Sequence, residues 1–161
     1  MRIDYKKYID NIKDHPIKGV TYRDIQPLLA DEVAFKAAVT DLGTLCERPE
    51  YWVGIDSRGF LFASALSLVF GGGVKLIRKW GKLPPIDLVT ANYKLEYGAD
   101  MMQLKKGKGL VVIVDDVYAT GGTMEAAEKL VLEGGYTLLD KIALVDIGIA
   151  ENSVKSVIQY E

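Results

Sequence analysis

The sequence predicts one α/β domain in which a mainly parallel central sheet is covered by helices on both faces. Three continuous apolar runs, at residues 52–55, 110–114 and 142–145, are typical of buried parallel strands. Each run lies near a segment whose apolar residues follow helical spacing, as crossover helices require. A shorter run at 74–77 adds a fourth strand, and the length of 161 residues fits a single domain spanning 1–161.

Helical segments are predicted from apolar spacing and from their end signals. Ile3, Tyr8, Ile9 and Ile12 predict a short amphipathic helix that ends before His15-Pro16, because proline disfavours a helical residue ahead of it. Asp31 is the expected N-cap of a second helix, which closes before Pro49. A third helix continues from Phe60 after a sharp turn, and a fourth begins near Met124.

The stretch from Lys82 to Lys108 has little apolar periodicity and is punctuated by prolines and glycines. We expect a long excursion or a mobile hairpin there, with the mobile part at about residues 83–108. Long excursions within compact domains are often functional.

Composition excludes several classes of function. The formal net charge is −2, so the chain lacks the overall basicity that drives nonspecific binding to nucleic acid or to an anionic membrane. The single cysteine, Cys46, cannot form an intramolecular disulfide, and no apolar run approaches the roughly 20 residues of a membrane-spanning helix. The first residues do not resemble a signal peptide. A reducing, cytoplasmic setting is expected.

The segment LVVIVDDVYATGGTMEAAEKLV, at residues 110–131, predicts a strand, a loop and a helix. Small and hydroxyl-bearing residues stand where the loop enters the helix, so backbone N–H groups and the helix dipole point at one spot and suit a monophosphate. These residues are Thr120, Gly121, Gly122 and Thr123. Asp115 and Asp116, just before them, would repel phosphate unless they hold sugar hydroxyls or hydrated Mg²⁺. The segment therefore suits a ribose phosphate, although the same residues could simply form a tight turn and cap a helix.

The segment lacks the patterns of two other nucleotide-binding classes. No lysine follows the glycines, as the NTPase loop requires, and no G-x-G-x-x-G occurs.

Two groups of cations and donors follow other strands of the predicted sheet. Ser57, Arg58 and Gly59 come after the strand that ends at Ile55. Arg78, Lys79 and Lys82 come after the run at 74–77, although such a run of cations is often a solvated face. Parallel strands bring these ends to the same edge of the sheet, where a phosphate site, a diol site and a pyrophosphate-sized cation site converge.

The strand, the two acids and the TGGT loop resemble the signature of the type I phosphoribosyltransferases. The resemblance implies that Asp115 and Asp116 hold the ribose hydroxyls of phosphoribosyl pyrophosphate, and that Ala119 to Thr123 hold its 5-phosphate. It also implies that the substrate carries Mg²⁺ near the two acids, with no direct protein ligand. Ser57, Arg58, Arg78, Lys79 and Lys82 would face the pyrophosphate.

Further segments, among them GVTYRDIQPLL, GIDSRGFLF, LIRKWGKLP, NYKLEYG and the terminal IQYE, are similar to the family members that act on adenine. In those members a small N-terminal hood, here about residues 1–30, covers the base. Tyr22 would stack on adenine, while the backbone of Thr21 and the Arg23 segment would contact its polar edge. Alanine at position 119, where 6-oxopurine enzymes have aspartate, favours the adenine type.

The resemblance also implies catalytic roles and an assembly. Glu96, in LEYG, is the candidate acid–base or base-positioning residue, Arg58 assists at the pyrophosphate, and Tyr97 would pack over the closed site. LEYG could alternatively be a strand ending in a glycine turn. A homodimer is expected, and the expected reaction converts adenine and phosphoribosyl pyrophosphate to AMP and pyrophosphate.

Two features depart from the family pattern. Tyr118 stands where leucine is usual, and the stretch from Asp146 to Val157 is short. The alternatives are a phosphoribosyltransferase for another base, such as xanthine, and a non-catalytic sensor of phosphoribosyl pyrophosphate.

Overall fold

The centre of the molecule is a seven-stranded sheet. A computed structural model describes residues 2–95, 98–152 and 154–161. The strands are β1 (Asp10–Ile12), β2 (Tyr22–Asp24), β3 (Tyr51–Ile55), β4 (Gly73–Lys79), β5 (Leu88–Leu95), β6 (Gly98–Lys105), β7 (Leu110–Tyr118), β8 (Thr137–Asp146) and β9 (Lys155–Gln159). The order across the sheet is β5-β6-β4-β3-β7-β8-β9, and β1 and β2 form a separate hairpin. The pairs from β4 through β3, β7 and β8 to β9 are all parallel, so the predicted α/β fold is confirmed.

Helices cover both faces of this sheet. They are α1 (Gln26–Ala30), α2 (Glu32–Gly43), α3 (Gly59–Phe70) and α4 (Gly122–Glu133). Asp31 caps α2 as predicted, since its carboxylate accepts a hydrogen bond of 2.8 Å from the Ala34 N–H. Side chains alternate along the parallel strands: Trp52 packs with α2 and α3 on one face, whereas Val53 packs with α4 on the other. The continuous apolar runs thus reflect two buried faces.

The predicted N-terminal helix is wrong. Only a 3-10 turn forms, at Tyr5–Tyr8, and the chain then becomes extended as β1. Of the residues whose spacing predicted the helix, Ile9 is buried, whereas Ile12 is exposed. Residues 10–12 pair instead with β2, in the register Asp10↔Asp24, and this long-range pairing overrides the local pattern.

The stretch between Lys82 and Lys108 forms a hairpin of β5 and β6. The outer strand β5 pairs only with β6, and β6 adds to the sheet by antiparallel pairing with β4. The hairpin therefore extends the sheet at the edge beyond β4. Residues 96 and 97, between its two strands, lie outside the described part of the chain.

Strand β7 is four residues longer than its apolar run predicted. It continues through Asp115 and Asp116 to Tyr118, because Asp115 pairs with Ala143 and Tyr118 with Asp146 of β8. The two acids therefore project from the end of β7, which is paired there with β8 beyond its last pair with β3, rather than from a loop. Among the described helices, none is both long enough and apolar enough to cross a membrane.

Candidate active site

A cavity of about 190 Å³ lies between the β1–β2 hairpin and the junction of β7 with α4. Its lining includes predicted site residues from three separate segments of the sequence: Thr21, Tyr22, Arg23, Arg58, Asp115, Asp116, Ala119, Thr120, Gly121 and Thr123. Its remaining lining residues are Pro16, Val20, Val117, Tyr118, Met124 and Ile147. One concave space thus contains both the predicted ribose-phosphate segment and the predicted base segment.

The predicted phosphate end of the cavity is the turn from β7 into α4. Gly121, the residue before the helix, has φ +93°, a conformation that side chains rarely adopt. Its carbonyl accepts the first helical hydrogen bond, from the Glu125 N–H at 2.9 Å. The N–H groups of the first helical turn have no partner within the helix, so the helix start presents donors and a positive dipole to the cavity.

The two acids of β7 differ in their surroundings. Asp116 is buried, and its Oδ2 lies 2.6 Å from the Arg58 Nε. This contact is an ion pair without hydrogen-bond alignment, and within the described chain that oxygen accepts no hydrogen bond. Asp115 accepts at Oδ1 from the Asp116 N–H at 2.9 Å. The pKa of Asp115 is raised well above its ordinary value. Burial is the larger cause, and the negative charge of the adjacent Asp116 carboxylate is the second.

Arg58 reaches Asp116 because the turn after β3 presses closely against β7. A Cβ on Gly59 would lie 2.8 Å from the Val114 carbonyl oxygen, so only glycine allows this approach. The Asp56–Ser57 peptide bond in this turn is cis. The Ser57 side chain is exposed and does not line the cavity.

Arg58 also holds the hood side of the cavity. Its Nη1 donates hydrogen bonds to the Tyr22 hydroxyl at 2.9 Å and to the Arg23 carbonyl at 3.2 Å. Its guanidinium carbon lies 4.9 Å from the centre of the Tyr22 ring. A single side chain therefore joins β7 to the predicted base-binding segment.

The Arg23 side chain is held by residues from both termini. Its guanidinium lies 4.2 Å from the ring centre of Tyr160, whose other cationic neighbour, Lys6, lies 4.8 Å from that centre. Its Nη1 donates to the Asn11 side chain. His15 lies edge-on to Tyr22, with ring centres 5.2 Å apart.

The second cation group lies at the same sheet edge but outside this cavity. Arg78 Nε is 3.5 Å from the Asp56 carboxylate, which also accepts a 3.3 Å hydrogen bond from the Lys79 N–H. The Lys79 and Lys82 side chains are exposed. Gly122 lines a neighbouring cavity of about 650 Å³ between α4 and β5, together with Thr120 and Tyr93.

Two predicted site residues belong to the part of the chain between β5 and β6. Glu96 and Tyr97 lie outside the described residues. Across residues 2–95, 98–152 and 154–161, no group of three or more histidine, cysteine or acidic side chains is arranged to hold a metal ion.

The back wall of the cavity includes Tyr118 and Ile147, which were not predicted from the sequence as site residues. Ile147 follows β8, and nothing in its local pattern marks it. Only the parallel register of β7 with β8 brings it beside Tyr118, whose carbonyl accepts from the Ile147 N–H at 3.1 Å.

Comparison with known proteins identifies the family. Residues 24–155 match the phosphoribosyl transferase domain family. The chain is 40% identical to the adenine phosphoribosyltransferase of Hydrogenovibrio crunogenus, over 96% of this chain and 95% of that protein. This chain belongs to the adenine phosphoribosyltransferase family. The enzyme of that name from Dichelobacter nodosus is 39% identical over 91% of this chain and 88% of its own length.

Solved adenine phosphoribosyltransferases have the same fold. The structure from Thermoanaerobacter pseudethanolicus is 33% identical and superposes with a TM-score of 0.87, covering 98% of each chain. The Giardia lamblia structure, complexed with 9-deazaadenine, is 26% identical with a TM-score of 0.88, covering 98% of this chain and 97% of that one. The predicted family and fold are confirmed, and the chain is a phosphoribosyltransferase.

Proposed function

We propose that the chain transfers the 5-phosphoribosyl group of phosphoribosyl pyrophosphate to adenine, giving AMP and pyrophosphate in purine salvage. The observation that carries the proposal is the single cavity in which the start of α4, the acids of β7 and the Tyr22 segment converge. The relatives named adenine phosphoribosyltransferase support the choice of base.

In the proposed reaction the C1′–oxygen bond to pyrophosphate breaks and the base nitrogen N9 bonds to C1′, releasing its proton. Residues 119–123 hold the 5-phosphate through backbone N–H groups and the threonine hydroxyls. Asp115 and Asp116 accept hydrogen bonds from the ribose hydroxyls, and their place in the cavity lining beside this turn supports this role. These contacts fix C1′ in place for attack.

Positive charge near the leaving group supplies the electrostatic part of catalysis. The ends of β3 and β4 lie side by side, since Ile55 pairs with Ile77, so Ser57 is near Arg78 and Lys79. With Lys82, these residues bind the pyrophosphate and stabilise its growing negative charge. Arg58 acts there too, and its contacts indicate a second role in aligning Asp116 with the hood.

Adenine stacks on Tyr22, and the backbone of Thr21 and Arg23 contacts its polar edge. Stacking alone does not select a purine, because every base presents a π-face. Edge hydrogen bonds select it, since an unpaired buried donor costs about 1–3 kcal/mol. Ala119 lines the same cavity and places no carboxylate there, which favours adenine over a 6-oxopurine.

The acidic side chains are compatible with Mg²⁺ carried by the substrate. Asp115 and Asp116 offer the oxygen donors that Mg²⁺ prefers, but two carboxylates, one of them paired with Arg58, do not form a full protein site. Bound to the substrate near these acids, the ion would neutralise pyrophosphate charge.

Glu96 takes up or positions the proton of N9, and Tyr97 packs over the closed site. The hairpin of β5 and β6 is compatible with this proposal, because residues 96–97 stand between these two strands in the sequence. Turnover by Glu96→Gln equal to that of the unmodified protein would remove Glu96 from the reaction.

We also propose a cytoplasmic homodimer with an interface on α3. Leu61, Leu68 and Val69 form an exposed apolar stripe on that helix, and Leu68 is 88% exposed. Light scattering should show that Leu68→Lys shifts the protein from dimer to monomer.

One assay tests the function. The purified chain is incubated with phosphoribosyl pyrophosphate and Mg²⁺ and, in parallel, adenine, hypoxanthine, guanine, xanthine, orotate or uracil. We expect a nucleotide product with adenine at the highest kcat/KM. Product with another base but not adenine would overturn the base assignment. Tight substrate binding without product from any base would indicate a sensor.

A further inference from the structure

Tyr118 links the phosphate-binding turn to a segment that the proposed reaction does not otherwise use. Its side chain is buried, lines the cavity and donates a 2.6 Å hydrogen bond from its hydroxyl to the Asn152 carbonyl. Asn152 belongs to residues 147–152, between β8 and β9, which we call the rear segment. The link joins positions 34 residues apart in the chain.

The same hydroxyl lies against Gly121. A Cβ built on Gly121 would be 3.0 Å from the Tyr118 hydroxyl and 3.6 Å from the Ala150 methyl group, so both the tyrosine and the rear segment back this glycine. The rear segment is also tied to Tyr118 through the backbone, by the hydrogen bond from Ile147. The turn is therefore packed against both Tyr118 and the rear segment.

This backing matters because Gly121, as a glycine, has more conformational freedom than a residue with a side chain. Glycine populates both signs of φ readily, so the turn needs support from its surroundings to keep φ at +93°. A binding site whose backbone is fixed in advance binds more tightly, because less entropy is lost when the ligand arrives. Burial raises the pKa of Tyr118, so its hydroxyl stays protonated and keeps donating.

We propose that Tyr118 is a positioning residue for the phosphate-binding turn and that it acts through the rear segment. The inference rests on the proposed function, because the ligand of the turn is the 5-phosphate of phosphoribosyl pyrophosphate. That phosphate stays bound from the substrate complex to the transition state. Loosening the turn weakens both states equally, which raises KM and leaves kcat unchanged.

The test compares Tyr118→Phe with the matched control Tyr136→Phe. Tyr136 is also buried, packs in the same apolar cluster and donates to a backbone carbonyl, that of Lys105 at 2.8 Å, but it does not line the cavity. Each substitution removes one hydroxyl and keeps the ring. The comparison therefore separates a general loss of stability from an effect on the turn.

For Tyr118→Phe we expect KM for phosphoribosyl pyrophosphate to rise about fivefold, as the loss of one neutral hydrogen bond allows. KM for adenine and kcat should stay within about twofold of the unmodified protein, and Tyr136→Phe should leave all three within that range. Direct calorimetric binding of phosphoribosyl pyrophosphate should weaken by the same factor. Thermal unfolding should shift similarly in the two variants.

Equal KM values for the two variants would overturn the inference, as would a fall in kcat without a rise in KM. Tyr118→Leu, which also removes the ring, is the second variant, and it should raise the same KM further. If it instead matched the unmodified protein, Tyr118 would have no positioning role. Failure of the unmodified protein to make AMP would contradict the proposed function and not the link, since calorimetry still compares the two variants.

Discussion

The two sides of the cavity are built in different ways. The phosphate side is almost contiguous in sequence, running from Asp115 on β7 to Thr123 on α4. The base side is assembled from distant segments, because Tyr22 is held by Arg58 and Arg23 packs on Tyr160. A site made of neighbouring residues can be predicted from a sequence motif. A site made of distant segments depends on tertiary contacts, which local sequence does not reveal.

The largest effect is expected for Arg58→Ala, because Arg58 contacts both sides of the cavity. The variant leaves the buried Asp116 carboxylate without its cation and frees Tyr22 and the Arg23 carbonyl. We expect kcat/KM to fall about 1000-fold and both KM values to rise.

The control for this variant is Lys141→Ala. Its partner Glu128 lies at the same distance of 2.6 Å, but neither residue lines the cavity. A change confined to one substrate's KM in Arg58→Ala would show that Arg58 does not connect the two sides.

The phosphate side by itself is tested by Gly121→Ala. The new methyl group meets the Tyr118 hydroxyl, and alanine disfavours the positive φ that this position has, so the turn shifts and its donors lose alignment. We expect kcat/KM to fall about 100-fold, as when one aligned donor is lost. Gly71→Ala is the control, since Gly71 has φ +84° at the end of α3 and its closest neighbour is the flexible Arg48 side chain. Equal activity of the two variants would contradict the prediction.

The base side is tested by replacing Tyr22. Tyr22→Leu removes the stacking surface and should raise KM for adenine about tenfold, whereas Tyr22→Phe keeps the ring and should raise it less. KM for phosphoribosyl pyrophosphate should change by less than about twofold, because the phosphate side does not depend on the ring. Steady-state kinetics with each substrate varied would measure this, and an unchanged adenine KM in Tyr22→Leu would remove Tyr22 from the base site.

The smallest expected effect is on stability. The raised pKa of Asp115 means that its charged form is disfavoured in the folded protein, so stability is lost as pH rises from the ordinary carboxyl pKa to the raised one. Asp115→Asn removes this penalty and should raise Tm by about 2–4 °C at pH 8. The gain should shrink at pH 5, where the native carboxyl is closer to neutral. A gain that is larger at pH 5 would mean that the pKa is lowered.

Features with a local cause were predicted correctly from the sequence, whereas features that depend on long-range strand pairing were not. The cap at Asp31 and the apolar runs of β3 and β7 were predicted because their causes are local. The N-terminal helix failed, since β1 exists only through its pairing with β2. The end of β7 was placed too early because pairing with β8 extends the strand beyond its apolar residues.

The sequence by itself determined the family and the α/β fold and predicted a turn suited to an anion, because strand and helix patterns and the order of acids, threonines and glycines are local properties. Only the tertiary structure decided that Arg58 joins Asp116 to the hood, that Tyr160 supports Arg23 and that Tyr118 binds Asn152 of the rear segment. These contacts join residues far apart in the chain. They form because β3 and β7 are parallel, so the residues after β3 and those at the end of β7 lie at one edge of the sheet. Gly59 then allows the turn after β3 to pack closely against β7.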